Sequence, residues 1–294
     1  MLRGILLLVG LASLNACTMN QSKSHCEVAL NKKQLAHLSS VAAAQDEVHR
    51  SRYAYRHPEE TLEFFGIQPG MTVLEVLPGG GWYSKILLPY LGEKGTLIGA
   101  DYEPSMWPNF SFATPEFVEQ RKVAPQKWQD DAKSWGGSKS AVAFGSTLSS
   151  LPTSFYGKVD AALYIRAMHN LVRFENKGQY FSKALAETFK MLRPGGVVGV
   201  VQHAMSEDAA DVTADGSRGY LKRSFVINEM EKVGFEFVGE SMINLNSKDQ
   251  PSETDIVWRL APTFYGSKEG SEERESVAKI GESNRVTLKF KKPI

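Results

Sequence analysis

The segment Thr72-Val-Leu-Glu-Val-Leu-Pro-Gly-Gly-Gly-Trp-Tyr-Ser84 constrains the fold of this chain more than any other stretch. Val73 to Val76 is an apolar run broken by a single acid, which is how a buried parallel strand reads. Gly79, Gly80 and Gly81 follow at once, and Trp82 to Leu91 then reads as a helix. Strand, glycine turn and helix together bring bare backbone to a helix N-terminus, where a nucleotide-like ligand can lie. Glycine serves there because a Cβ would block both the tight turn and the close approach.

The surrounding pattern predicts an α/β fold. Gln34 to Arg56 has helical periodicity, with Leu35, Leu38, Val41 and Ala42 on one side. His57-Pro58-Glu-Glu60 starts a second helix, which stops at Gly66. Further strands are expected at Gly95–Asp101, Ser140–Phe144, Val159–Ile165 and Val197–Gln202. A helix from Gln179 to Leu192 is halted by Arg193-Pro-Gly-Gly196, and another, Arg223–Val233, ends at Gly234. Two last strands, Phe235–Asn244 and Arg285–Phe290, flank an irregular insertion. Alternating strands and helices call for a mostly parallel sheet covered on both faces. At 294 residues and 42% hydrophobic content, the chain can bury one large domain of this kind.

The N-terminus reads as a targeting segment. Arg3 is followed by an apolar run, Ile5 to Leu14, too short to span a bilayer. Leu14-Asn15-Ala16-Cys17 resembles a bacterial lipobox, which implies a signal peptide over 1–16 and lipidation of Cys17. A polar tether over 17–33 and a domain over 34–294 follow. Thr18, where an aspartate would favour the inner membrane, points to the outer membrane facing the periplasm. Membrane contact is then expected through the lipid anchor alone. Processing removes Arg3 and leaves the mature chain formally neutral, so no broad electrostatic footprint for nucleic acid is expected. A small-molecule or protein partner fits better. No Cys/His cluster of metal-site spacing is present, and Cys26 is the one remaining cysteine.

Two ligands compete for the glycine turn. Gly79, Gly81 and Ser84 fill a dinucleotide G-x-G-x-x-G pattern only with serine in the last place. Asp101, at the end of the second strand, can take two ribose hydroxyls under either reading. Other features separate them. Glu75 before the glycines, Arg193-Pro-Gly-Gly196 before the fifth strand, Leu151-Pro152 before the fourth and Gly234-Phe235 before a C-terminal hairpin resemble the class I S-adenosylmethionine-dependent methyltransferases. That resemblance spans residues 56 to 290 and implies a Rossmann-like, seven-stranded, mostly parallel sheet with a C-terminal antiparallel hairpin. Tyr55-Arg-His-Pro58, Glu75-Val-Leu-Pro-Gly-Gly-Gly-Trp-Tyr83, His169-Asn170, Gly239-Glu-Ser-Met-Ile-Asn244 and Gly281-Glu-Ser-Asn-Arg285 further resemble a bacterial methyltransferase-like family whose acceptor is unassigned.

The resemblance implies S-adenosylmethionine as cofactor, held by Glu75, Pro78, Gly79, Gly80, Gly81, Tyr83, Asp101, Tyr102 and Ser146. The chain departs from the family pattern at Leu77, which stands where a glycine is usual, and at Pro78, which removes a backbone donor. Gly145-Ser146-Thr147, expected as the loop after the third strand, holds a serine where many relatives carry an adenine-binding acid. Both departures point to altered or weaker cofactor binding.

Methyl transfer demands alignment and, for some nucleophiles, a base. Arg166-Ala-Met-His-Asn170 lies beyond the fourth strand, where such a base belongs. His169 is the candidate base and Asn170 an orienting group; a helix-start or structural hydrogen bond is the plainer reading of both. Arg56, His57 and Arg166 are candidate contacts to a substrate anion. Gln202 and His203 read as pocket-edge residues, and Glu282 with Arg285 as an ion pair. Two functions follow: a methyltransferase of unassigned acceptor, or a non-catalytic envelope protein that binds a metabolite or partner with the same fold. Export away from the cytoplasmic cofactor supply is what favours the second.

Overall fold

The apolar run before the glycines forms β1 (Thr72–Val76), the centre of the sheet. The computed structural model describes residues 29–294, so the expectations for Cys17 and Cys26 fall outside the described residues. The other strands are β2 (Thr96–Asp101), β3 (Val142–Thr147), β4 (Val159–Ile165), β5 (Leu192–Met205), β6 (Leu221–Lys222), β7 (Glu236–Ser241) and β8 (Arg285–Lys291). The sheet runs β3-β2-β1-β4-β5-β8-β7, with β6 paired to β5 off this path. β1 to β5 are mutually parallel, whereas β8 lies antiparallel to both β5 and β7. The order reverses between β1 and β4, so the carboxyl ends of these two strands open a crevice where ligands bind in open α/β sheets.

Side-chain alternation divides the core between the two faces of the sheet. Leu74, Val76, Ala162, Tyr164, Leu288 and Phe290 face one layer. Val73, Ala161 and Leu163 face the other, under Leu62, Phe65, Ile86 and Leu87. On this second side β8 presents a buried polar row, Arg285, Thr287 and Lys289. Each is paired, as burial of polar groups demands. Lys289 Nζ donates to the Phe64 carbonyl (2.9 Å), near the end of the helix Pro58–Phe65, where the dipole favours a cation. Asn244 Nδ2 donates to Thr61 Oγ1 (3.0 Å) and Thr287 Oγ1 (2.9 Å), and Arg285 Nη2 to the Tyr55 carbonyl. The N-terminal helices are thereby locked over the C-terminal hairpin.

Several expected elements differ in extent. The expected helix Gln34–Arg56 is three helices, Lys32–Ala43, Glu47–Arg50 and Tyr53–Arg56. Asp46 breaks it, because its side chain accepts from His49 N (2.7 Å) and starts a new helix. The domain begins ahead of Gln34: Asn31 caps the first helix in a capping box and Leu30 is buried in the core. Arg193-Pro-Gly-Gly196 lies within β5 at a register shift against β4 rather than before the strand. The irregular insertion contains a helix, Glu272–Ile280, capped by Ser271. Two helices between β2 and β3, Pro115–Lys122 and Ala124–Trp135, had no counterpart in the sequence reading.

The second of these helices explains one glycine. Gly81 is buried with φ +76°, and a Cβ there would sit 2.4 Å from the Trp135 ring. Gly81→Ala is therefore expected to lower stability by about 2–4 kcal/mol, from backbone strain plus overpacking. A urea midpoint shifted by less than a few tenths of a kcal/mol equivalent would contradict this packing.

Candidate active site

The turn after β1 is wound tightly. Leu77 donates its N–H to the Ala100 carbonyl (2.8 Å) and adopts φ +55°, a left-handed conformation costly for a residue with a Cβ. Its side chain compensates by packing against the core that holds Leu74 and Val76. The departure from glycine at this place thus swaps backbone freedom for an apolar contact. Gly79 and Gly80 are exposed, and a Cβ built on either would meet nothing within 4 Å. Their backbone is open to a ligand.

Two residues expected at the cofactor are instead committed to the fold. Glu75 is buried and its Oε2 accepts from Ser84 Oγ at 2.6 Å, which ties β1 to the start of the helix Ser84–Leu91. Burial pushes its carboxyl up to about 7, with the Ser84 bond opposing. Tyr83 is 3% exposed and belongs to the core; its hydroxyl donates to the Arg56 carbonyl (3.4 Å). Ser146, expected in a loop, lies inside β3, which continues to Thr147, and its Oγ donates to the Ser150 carbonyl (2.9 Å). The strand runs on because Gly145 N–H is held by Gln129 Oε1 (2.9 Å).

Asp101 ends β2 as expected, but already has partners. Its Oδ1 accepts from Tyr102 N–H (2.8 Å) and its Oδ2 from Arg121 Nη2 (2.5 Å). Arg121 also stacks on Trp107, 4.4 Å from the ring centroid. Burial raises the Asp101 carboxyl, outweighing the pull of Arg121. Tyr102 packs edge-on against Trp107, and its hydroxyl accepts from Asn170 Nδ2 (2.8 Å). This bond links the ends of β2 and β4 past β1. Arg121 and Trp107 escaped sequence reasoning because they sit in helical segments that no motif marks.

A cavity of about 270 Å³ brings together Arg56, Arg166, His169 and Asn170 with His203, Trp258 and Ser283. His57, the remaining substrate candidate, does not line it; it adopts φ +40° at the helix junction, and its Nδ1 is buried without a partner. At the edge of the cavity, Glu282 is the hub of a buried ionic cluster. Arg56 Nε reaches its Oε1 at 2.9 Å, Arg285 Nη1 its Oε2 at 2.9 Å, and Arg52 Nη2 shares Oε1 with Arg56. Burial alone would raise Glu282, yet Arg285, Arg56, Arg166 and Arg52 together carry it below the ordinary carboxylate range. Arg52 was legible in principle: spacing of four puts it on the helical face of Arg56.

Among solved structures, the chain superposes on the [4+2]-cyclase SpnF with a TM-score of 0.52, covering 89% of this chain and 93% of that one at 16% identity. A SAM dependent methyltransferase from Aquifex aeolicus gives 0.44, over 86% and 97% at 16% identity. The fold is a Rossmann-like α/β fold. The mostly parallel sheet with an antiparallel C-terminal pair is what the sequence predicted, with β6 added as an eighth strand to the seven expected. Among curated proteins, the chain is 35% identical over 81 residues to ribosomal RNA large subunit methyltransferase E of Acinetobacter baumannii, 27% of this chain. It spans 38% of that relative's length. No family model matches the chain.

Three histidines, His49, His169 and His203, are held neutral by burial. His169 is 3% exposed, and burial drops it to about 4 against the opposing bond from Gln202. His49 falls to about 4 by burial, and His203 falls well below its usual value by burial and then by His169 and the arginines. Gln202 Nε2 donates to the Gly219 carbonyl (3.1 Å), and both its Oε1 and its Nε2 lie 3.4 Å from His169 Nδ1, so the imidazole is tied to Gln202 in either tautomer.

A pH dependence of stability follows. A histidine whose pKa is depressed on folding binds its proton more tightly in the unfolded chain, so stability rises with pH between about 4 and 6.5. Glu75 acts oppositely, losing stability as pH rises from 4.5 towards 7. Three histidines outweigh it. Acidification from pH 7 to pH 5 is expected to destabilise the domain by a few kcal/mol. Thermal melts that are flat across this range would show that these histidines are not buried neutral.

Proposed function

We propose that the protein is an S-adenosylmethionine-dependent methyltransferase. The observation that carries this reading is the juxtaposition, at the carboxyl end of the sheet, of open backbone at Gly79 and Gly80 with a carboxylate, Asp101, closing β2. The residues present fit the cofactor: the glycines admit close approach, and Asp101 has the chemistry for ribose hydroxyls. Glu75, Tyr83 and Ser146 support the turn and strands from behind. The partial likeness to an rRNA methyltransferase supports the same class of chemistry.

Bound there, the cofactor supplies an electrophilic methyl group on a sulfonium. The chain's own residues do the rest. Leu77 and Pro78 stiffen the turn, and the buried side chains around Tyr102 exclude water. Asn170 is anchored by Tyr102 and aligned at the cavity. His169 lines the cavity with its Nδ1 tied to Gln202, and its low basicity suits it to orienting a hydrogen bond rather than to deep proton abstraction.

One observation favours the second reading, a binding protein without turnover. Arg121 holds the carboxylate a ribose would need, so cofactor entry requires Arg121 to leave. Calorimetry of the detergent-solubilised full chain separates the two. The enzyme reading expects S-adenosylmethionine and S-adenosylhomocysteine to bind in the micromolar range; no heat at millimolar ligand would refute it. We further propose that Cys17 is lipidated and that the protein faces the periplasm from the outer membrane. Accumulation of an unprocessed precursor under globomycin supports that proposal, and unchanged processing removes it.

A further inference from the structure

The cavity beyond β4 carries more positive charge than its fold requires. Four arginines, Arg52, Arg56, Arg166 and Arg285, converge on one carboxylate, Glu282. Three of them bond Glu282 directly; Arg166 lines the cavity and has no ion-pair partner among the described residues. Arg166 is also held at φ +57°, its N–H bound to the Val201 carbonyl (2.6 Å). Strain of this kind persists only where the surroundings impose it. Arg166 is buried beside Arg285, and Glu282, already bonded by three other guanidiniums, offsets that repulsion only in part, which leaves room for a ligand anion to complete the balance. The lining also holds Glu282 and neutral donors and acceptors: His169, Asn170, and the pair His203 Nδ1–Ser283 Oγ at 2.6 Å. Trp258 lies edge-on to His169, 5.9 Å between ring centroids.

We propose that this cavity binds an oxyanion, with Arg166 and Arg56 as its cationic partners, and that the methyl acceptor is a small molecule carrying such a group. The inference rests on the methyltransferase reading for the word acceptor, but not for the site. A volume of about 270 Å³ falls just under the range of drug-sized pockets, so the occupant is a small metabolite rather than a polymer. Guanidinium groups accept both planar carboxylates and tetrahedral phosphates, and the shared chemistry is the oxyanion.

The test is a thermal-shift and calorimetric titration of the detergent-solubilised full chain with sodium acetate and with inorganic phosphate, acetamide serving as the uncharged control. At least one anion is expected to bind and raise the melting temperature, and acetamide to do neither. The preferred anion reports whether the acceptor group is a carboxylate or a phosphate. Arg166→Gln is expected to weaken that binding by tenfold or more while raising the melting temperature in anion-free buffer, because it removes repulsion from the cluster. A merely structural arginine would lower it. Equal affinity in Arg166→Gln and wild type, or no response to either anion, would overturn the site. Anion binding abolished by saturating S-adenosylhomocysteine would assign the arginines to the cofactor's own carboxylate and overturn the acceptor inference. Anion binding in a protein that never binds S-adenosylhomocysteine would remove the methyltransferase reading and leave the anion site standing.

Discussion

Glu282→Gln is expected to remove about 3–5 kcal/mol of folding stability, the effect of leaving buried charges without their counter-ion. Glutamine keeps the shape and part of the hydrogen bonding, so the loss isolates the charge. Glu282 is 4% exposed and joins Arg52 and Arg56, from the N-terminal helices, to Arg285 of β8. Chain segments separated by more than two hundred residues depend on this one carboxylate. Set against a typical total of about 5–15 kcal/mol, such a loss brings the domain close to its unfolding threshold. Urea unfolding of the variant measures it. A double-mutant cycle with Arg285→Met is expected to return a coupling above about 1 kcal/mol, since removing both partners spares the buried orphan charge. A Glu282→Gln midpoint within about 0.5 kcal/mol of wild type would mean the cluster is solvated and not a structural hub.

The second large effect concerns Asp101. Asp101→Ala is expected to weaken S-adenosylhomocysteine binding by at least a hundredfold, since two hydrogen bonds to a charged acceptor are lost at about 1.5–3 kcal/mol each. Arg121→Met should act in the opposite sense. Its partly buried ion pair is worth about 1 kcal/mol and its stacking on Trp107 about 0.5–1 kcal/mol. Relieving that competition is expected to tighten binding by roughly three- to thirtyfold. Gly80→Ala supplies a control for the turn: open space and an ordinary φ predict unchanged stability, so a loss of affinity would report close ligand approach alone. If Arg121→Met weakens binding, Arg121 contacts the ligand instead of competing with it.

Much of the fold was legible in the sequence because it rests on local signals. The run Val73–Val76, the stop at Gly234 and the strand Val159–Ile165 all fall where hydrophobic period and glycine placed them. Elements set by tertiary contact were not legible. The break at Asp46 depends on a side-chain cap that competes with a continuous helical pattern. Pro115–Lys122 has no buried residue, so no apolar stripe announces it. The site divides the same way. Asp101 and the exposed glycines lie where spacing put them, whereas Glu75, Tyr83 and Ser146 are hydrogen-bonded within the protein's interior. Residue type told which chemistry each side chain has, and only packing decided where it points. Arg166 and His169 meet Arg56 and Ser283 because the sheet order leaves only β5 between β4 and β8.

The central claim is that the turn after β1 and Asp101 together hold S-adenosylmethionine. A crystal structure of the protein with S-adenosylhomocysteine tests it most directly. The ribose hydroxyls should lie about 2.5–3.0 Å from the Asp101 carboxylate. Arg121 should be displaced from it, and the amino-acid moiety should pass over the backbone of Gly79 and Gly80. A structure with the ligand bound elsewhere, or with Arg121 still on Asp101 and the glycines untouched, would contradict it.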